Sequence, residues 1–300
     1  MYHGTHLELK NYFGITTLLN SDSAEAIYNQ CSDLLKKPEY SVKNLLRKMN
    51  VAFVGTTDDP TDDLRYHKQL QDDNFEITVL PSFRPDKATE IEKGQTFVDW
   101  IQKLEKTVGY SVTNFIALIN ALKERHDFFH EMGCRISDHG HTNFYGEEYT
   151  ANEVNAIFVK AMKGELVSVL EVNKYKSAIL FELALMNKAK SWTQQFHVGA
   201  IRNNNAKMLN DIGPDQGFDS IGDLNMADNM SKFFGRLSQY DGLTNTIVYN
   251  LNPSDSEMFA SMAANFNDGK VAGKMQYGSA WWFLDQKDGM EKQLNVLSNF

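Results

Sequence analysis

The strongest constraint on this chain is a unit that recurs six times: a short apolar or β-branched run, then a polar loop, then a helical pattern. Val51 to Thr57 (VAFVGTT) has the nearly continuous apolar character of a strand covered on both faces. It ends in Asp58-Asp59-Pro60, where Asp59 can cap a helix whose first position is Pro60, with Leu64, His67 and Leu70 following at helical spacing. The pattern returns in Phe75 to Leu80 before SFRPDKA, Cys134 to Ser137 before DHGHTN, and Trp192 to His197 before VGAIRNNN. It appears twice more, in Thr246 to Leu251 before NPSDSEMF and Lys274 to Tyr277 before GSAWWFLDQ. Strands alternating with helices in series predict a parallel sheet.

Such a sheet is either open and doubly wound or closed into a barrel. A doubly wound nucleotide binder carries a glycine-rich loop after an early strand. Here that loop is DDPTDD, whose carboxylates repel phosphate. Polar and charged residues instead follow every strand end, as expected where all the loops converge on one face of a barrel. The expectation is therefore an α/β fold, a (β/α)8 TIM-type barrel with helical insertions, in one domain spanning residues 1–300. Residues 1–50 form a helical lead-in, and 51–300 hold the βα units, with insertions at about 88–132 and 142–190. Phe115, Ile119, Leu122 and Phe129 mark one helix closing at Gly133, and Met230, Phe233, Phe234 and Leu237 mark another closing before Gly242. Only six of eight units are visible. The chain opens without a strand before the helical stretch Ala24 to Leu35 and stops inside an amphipathic helix carrying Met290, Leu294 and Leu297, so two units are expected to be missing.

Charge narrows the partners. A net charge of -9 argues against nucleic acid or an anionic membrane as the ligand, since both need a basic face, but leaves room for a small anion gripped by a local cluster of Arg and Lys. Cys31 and Cys134, the only cysteines, stand far apart and in no metal-ligand spacing, which suits a reducing compartment such as the cytoplasm. Met1 to Lys10 contains no apolar run of a secretory signal, and no stretch approaches the ~20 apolar residues of a membrane span.

The strand ends collect Asp58 and Asp59, Arg84 and Lys87, Asp138 and His139, His197 with Arg202, Asn250 and Asn252, then Trp281, Trp282 and Asp285. Such a mixture suits a polyhydroxy acid: Arg for the carboxylate, Asp and Asn for hydroxyls, Trp for the apolar face of a sugar. Arg84 can grip a carboxylate through two parallel hydrogen bonds, or simply pair with Asp86 or Asp58 at the rim. His197 reads as a metal ligand at a barrel rim or as a satisfied core residue. His139-Gly140-His141 has the His-x-His spacing of many metal sites, although His141 reads equally well as exposed loop. His3 and His6 are expected in solvated loop. Trp281 and Trp282 cannot face one way together, so one should stack on ligand and the other pack in the core.

The strings MNVAFVGTTDDP, VLPSFRPDKA, SDHG, QQFHVGAIRNNN, GPDQGFDSIGD and GKMQYGSAWWFLDQKDGME, with THLEL near the start, closely resemble the uronate isomerase family across nearly the whole chain. The resemblance implies a distorted (β/α)8 barrel of the amidohydrolase superfamily. Its implied activity interconverts D-glucuronate and D-fructuronate, and D-galacturonate and D-tagaturonate, in hexuronate breakdown. That reaction moves a proton between C2 and C1 of an open-chain aldose, so it needs a base, a polarised carbonyl and a fixed carboxylate. Carried over residue by residue, Arg84 becomes the carboxylate binder and His197 a metal-side or substrate-side imidazole, entered as the tentative metal ligand. Asp58, Asp138, His139, Arg202, Trp281 and Asp285 become substrate-binding rim residues, with no base assigned among them.

The complete enzyme is expected to use one divalent metal, zinc among the candidates. The family's opening His-x-His strand, its His-Tyr pair and the Asp and Arg of its eighth strand have no counterpart in these residues, so metal binding by this chain alone is not expected. The implied partner is a small hexuronate, in a monomer or homo-oligomer. Two other classes remain open: a sugar-acid-binding paralogue without turnover, and a metal-dependent hydrolase of the same superfamily.

Overall fold

The structure, a computed structural model, describes the backbone from Tyr2 to Phe300 and side chains from Gly4 onward. It divides into two compact units, residues 1–54 with 70–79, and residues 55–69 with 80–300.

The first unit holds helices α1 (Tyr2–Phe13), α2 (Ala24–Leu35) and α3 (Val42–Lys48). Leu9, Ile15 and Ile27 form its small buried cluster, with Phe13, Leu19 and Cys31 packed around it. The segment around Leu9 is helical, so His6 lies in α1 and not in solvated loop. Its Nε2 accepts a hydrogen bond from the Leu19 backbone N–H at 2.9 Å. The side chain of His3 lies outside the described residues.

Strands β1 (Phe53–Gly55) and β2 (Thr78–Leu80) pair with one another, and helix α4 (Arg65–Asp72) lies between them in sequence. The helix expected from Pro60 begins five residues later. Asp59 Oδ1 accepts from the Thr61 N–H at 2.9 Å, and Asp62 accepts from the Asp59 N–H at 3.0 Å. Such local side-chain bonds compete with helical ones. Leu64, at φ 54°, then makes the sharp entry into α4.

In the second unit, α5 (Asp86–Thr89), α6 (Gln95–Val108) and α7 (Phe115–Glu131) precede β3 (Ile136–His141). Next come α8 (Ala151–Met162), α9 (Val169–Ala189) and β4 (Thr193–Val198). Helices α6 and α7 fall between residues 88 and 132, and α8 and α9 between 142 and 190. Both α8 and α9 start in capping boxes, Thr150 with Glu153 and Ser168 with Glu171. After β4 come β5 (Ala200–Ile201), α10 (Ala206–Ile212) and β6 (Ser220–Ile221), then α11 (Ala227–Gln239), β7 (Thr246–Tyr249), α12 (Ser256–Asn265), β8 (Met275–Tyr277) and α13 (Lys287–Asn299). The short antiparallel pair β5-β6 was not legible in the sequence.

The central sheet has the order β3-β4-β7-β8, every pair parallel. Parallel bridges from Asp58 to Phe83 and from Phe83 to Ser137 carry the ladder back through the ends of the first two strand segments. Within the second unit, Asp58, Phe83, β3, β4, β7 and β8 thus follow one another in chain order across one parallel ladder.

Strands β1, β2 and β7 are shorter than the sequence runs that mark them, and β3 is longer. The sequence places a loop at DHGHTN, but β3 runs on through His141, in register with β4 as far as Val198. The polar run resembled a loop because its charges are neutralised by partners distant in sequence. The extra pleats matter, because successive side chains point to opposite faces. Phe196, two residues from the end of β4, packs against Phe233 and Phe234 of α11 and stacks on His139 at 4.9 Å. That is the helix-covered face. Asp138 and Gly140 alternate with His139 and so belong to the other face, level with His197 and Tyr249. The core beneath holds Phe83, whose ring meets those of Phe129, His126 and Trp192 edge-on at 5.1, 5.4 and 6.2 Å.

Candidate active site

A cavity of about 530 Å³ opens beyond the C-terminal ends of these strands, lined among others by Arg84, Lys93, Lys176, His197, Arg202 and Trp281. Parallel sheets place their loops, and hence their sites, at this end.

The centre of the site is a chain of three side chains. Asp138 is 5% exposed. Its Oδ1 accepts from His197 Nδ1 at 2.7 Å, and its Oδ2 pairs with Arg84 Nη1 at 3.1 Å. Burial pushes the Asp138 carboxyl up, but the hydrogen bond and charge of His197, joined by Arg84, outweigh burial and hold it below the usual carboxylate range. An ionised Asp138 fixes the proton of His197 on Nδ1, which leaves Nε2 available to exchange a proton. The imidazole is held flat against the Tyr249 ring at 4.4 Å and 4°, with the Trp281 ring 4.6 Å away at 62°.

Arg84 also donates from Nε to Asp86 Oδ2 at 2.8 Å. Both sequence readings therefore meet in one residue: it pairs at the rim with Asp86, and it lines the cavity. Gly140 makes room for it, since a Cβ there would stand 2.2 Å from Arg84 Nη2. Arg202 lines the cavity as well, with Nη1 3.1 Å from Asp219 Oδ2 and its guanidinium 4.5 Å above the Trp282 ring. Trp282 is thus a half-exposed partner of Arg202 and not the core residue expected of the second tryptophan.

Three other rim residues of the sequence reading stand elsewhere. Asp58 accepts from the Thr56 hydroxyl at 2.6 Å and does not line the cavity. His139 lies on the helix-covered face, and Asp285 is exposed just past Trp282–Leu284. Two residues that sequence reasoning passed over belong to the site. Lys176 projects from α9 over the Tyr145 ring at 5.2 Å and pairs with Glu92, and Tyr249 backs His197. A lysine amid the apolar face of α9 was the one signal for the former, while the latter needed the β4-β7 register.

Asp86, His139 and His141 form a group able to hold a metal ion, each offering a ligand atom within 4.8 Å of the others. Burial pushes His139 down to about 4 and, with Lys176 and Arg84, His141 down to about 3, so both imidazoles are neutral at neutral pH. Burial raises the Asp86 carboxyl, with Arg84 and His139 opposing.

A parallel α/β sheet with a carboxylate-anchored imidazole, two arginines and an indole around one cavity defines an α/β protein with a polar, cation-lined cavity at its strand ends. The family within that class follows from sequence comparison. The model for the family described as glucuronate isomerase matches residues 1–300, and the chain belongs to this family. It is 52% identical to a uronate isomerase of Bacteroides thetaiotaomicron over 298 residues, covering 99% of this chain and 64% of that relative. A uronate isomerase of Caldanaerobacter subterraneus is 43% identical over 300 residues, again with 64% of its length covered. The chain therefore spans just under two thirds of the curated relatives it matches. Among solved structures, the uronate isomerase of Thermotoga maritima superposes with a TM-score of 0.89 at 29% identity, over 99% of this chain and 64% of that one. The glucuronate isomerase of Caulobacter crescentus shares the fold with a TM-score of 0.87 at 23% identity, over 98% of this chain and 60% of that one. Among the described residues, no helix is long and apolar enough to cross a membrane.

Proposed function

We propose that this chain forms the substrate-gripping wall of a uronate isomerase acting on D-glucuronate and D-galacturonate, its six parallel strands being part of a (β/α)8 barrel. The observation that carries the reading is the Arg84-Asp138-His197 chain beside a cavity of about 530 Å³. That volume lies in the usual range for small-molecule ligands, roughly 300–1,000 Å³. Arg84, with Arg202 and Lys176, supplies positive charge for the hexuronate carboxylate, and Trp281 covers an apolar face of the sugar. His197 Nε2 is the group poised to exchange a proton with the substrate as hydrogen moves between C2 and C1. Asp138 sets its tautomer. Asp58, His139 and Asp285 then act as supports around the cavity and not as sugar contacts.

The family's divalent metal would polarise the sugar oxygens. Of the residues around His197, the imidazole itself would offer Nε2 to that ion, its Nδ1 being held by Asp138 as the outer partner of a metal-bound histidine is, while among the described residues no three-ligand group includes it. A cytoplasmic location and a homo-oligomeric state belong to the same proposal, the latter checked by light scattering in solution.

The test is calorimetric titration of D-glucuronate onto the 300-residue chain, alongside an assay for conversion to the ketose. Binding that weakens at least about tenfold in Arg84→Leu, a loss of about 1.4 kcal/mol, is the expected result. Absence of binding at millimolar sugar would remove the proposal. Binding without conversion would favour the sugar-acid-binding paralogue.

A further inference from the structure

One wall of the cavity carries a group of side chains to which the sugar-binding reading gives no role. Asp86, His139 and His141 each carry a buried polar atom with no hydrogen-bond partner: Oδ1, Nδ1 and Nε2 respectively. His139 is 1% exposed, and the His141 side chain 5%. Three unpartnered polar atoms at one point are costly, because each forfeits its hydrogen bonds to water without replacement. The other ends of Asp86 and His139 are anchored. Asp86 Oδ2 accepts from Gly140 N–H at 3.0 Å and from Arg84 Nε at 2.8 Å, while His139 Nε2 lies 3.1 Å from Ser137 Oγ. Ser137 is itself held by Asn187 Nδ2 at 2.8 Å.

We propose that Asp86, His139 and His141 bind one divalent transition-metal ion of the zinc class at the edge of β3. Two neutral imidazoles and a carboxylate are the donor set such ions prefer, with a fourth position left for water or a ligand oxygen. Ligands on a tetrahedral ion stand roughly 3.4 Å apart, given metal-nitrogen distances near 2.1 Å. Here Asp86 Oδ1 and His141 Nε2 are 4.0 Å apart and the whole group spans at most 4.8 Å, so small side-chain rotations close it. The Ser137-Asn187 pair behind His139 has the form of the outer partners that orient metal-bound histidines. Asp86 and His141 line the same cavity as Arg84 and His197, and Asp86 holds Arg84, but ion binding by these three residues can be read without any sugar present.

The experiment loads the purified 300-residue chain with Co²⁺ after chelator treatment, records visible absorption, and displaces the cobalt with Zn²⁺. One equivalent per chain with a four-coordinate cobalt spectrum is expected. His141→Gln and Asp86→Asn should each weaken binding by about 100-fold or more, and Ser137→Ala by about tenfold, following the cost of losing outer partners. His197→Gln should leave the cobalt spectrum unchanged. If a ligand variant fails to fold by circular dichroism, anomalous scattering from zinc-loaded wild-type crystals locates the ion instead. No uptake, meaning the pocket holds water only, would overturn the proposal. So would uptake unaltered in the folded ligand variants, or a zinc peak elsewhere.

Discussion

Gly140→Ala is a one-carbon change whose cost can be worked from the geometry. Gly140 sits in regular strand with no positive φ, so replacing it with alanine would ordinarily stabilise the chain by about 0.4–1 kcal/mol through the unfolded state. Here the new Cβ would lie 2.2 Å from Arg84 Nη2, whereas ordinary contact begins at 3.4 Å. The guanidinium must retreat by 3.4 − 2.2 = 1.2 Å. Added to the present 3.1 Å, that can open its link to Asp138 to 4.3 Å, beyond hydrogen bonding. A hydrogen bond to a charged group contributes about 1.5–3 kcal/mol. Because the Arg84 side chain is 31% exposed, the lower figure of about 1.5 kcal/mol applies. Urea unfolding should therefore show Gly140→Ala destabilised by about 0.5–1 kcal/mol net, and calorimetry should show D-glucuronate binding about tenfold weaker. The decisive control is the same substitution in an Arg84→Met background, where the clash is relieved and alanine should turn neutral or stabilising. An equal cost in both backgrounds would refute the reasoning, since the penalty would then have nothing to do with Arg84.

Phe83→Ala empties a fully buried site shared with Phe129, His126 and Trp192, and should cost about 3–5 kcal/mol in chemical denaturation. Ser168→Ala removes the cap of α9, whose Oγ accepts from the Glu171 N–H at 3.2 Å, and should lower stability by about 1 kcal/mol with little change in sugar binding. His126 is buried, stacked 3.7 Å from Trp192, and burial pushes it down to about 4. Between that value and the ordinary value near 6.5 the unfolded chain holds more protons, so this contribution is full above about pH 6.5 and is lost as pH falls towards 4. Up to about 3 kcal/mol is involved. Denaturation curves from pH 7 to 4 should show the decline, and a folded His126→Gln variant should show a shallower one.

Much of this architecture could be read from the sequence because parallel strands covered by helices are written as short apolar runs. All six expected runs, from Val51 to Thr57 through Lys274 to Tyr277, contain or overlap a paired segment. The failures lie where polarity misleads. DHGH looked like loop because Asp138 and His139 are polar, yet their partners Arg84, His197 and Ser137 allow them into a buried strand. DDPTDD looked like a helix start, yet Asp59 and Asp62 bond the local backbone instead. In the site, Arg84, His197, Arg202 and Trp281 could be placed from their positions after strand ends. Asp86 as a member of a three-residue group, Lys176 from α9, and Tyr249 behind His197 required register and helix docking, which are long-range facts.

The alternation of β3 couples two chemistries in antiphase. Asp138 and Gly140 point to the side of His197 and His139 to the side of Phe196, while His141, at the strand end, lines the cavity with Gly140, along six residues of one strand. Inserting or deleting a single residue ahead of Asp138 would exchange both sets at once, turning His139 towards His197 and the Asp138 carboxylate into the helix layer. The strand thus works as a phase lock. Either site can be retuned by replacing side chains, but neither can be shifted by a change in length without dismantling the other.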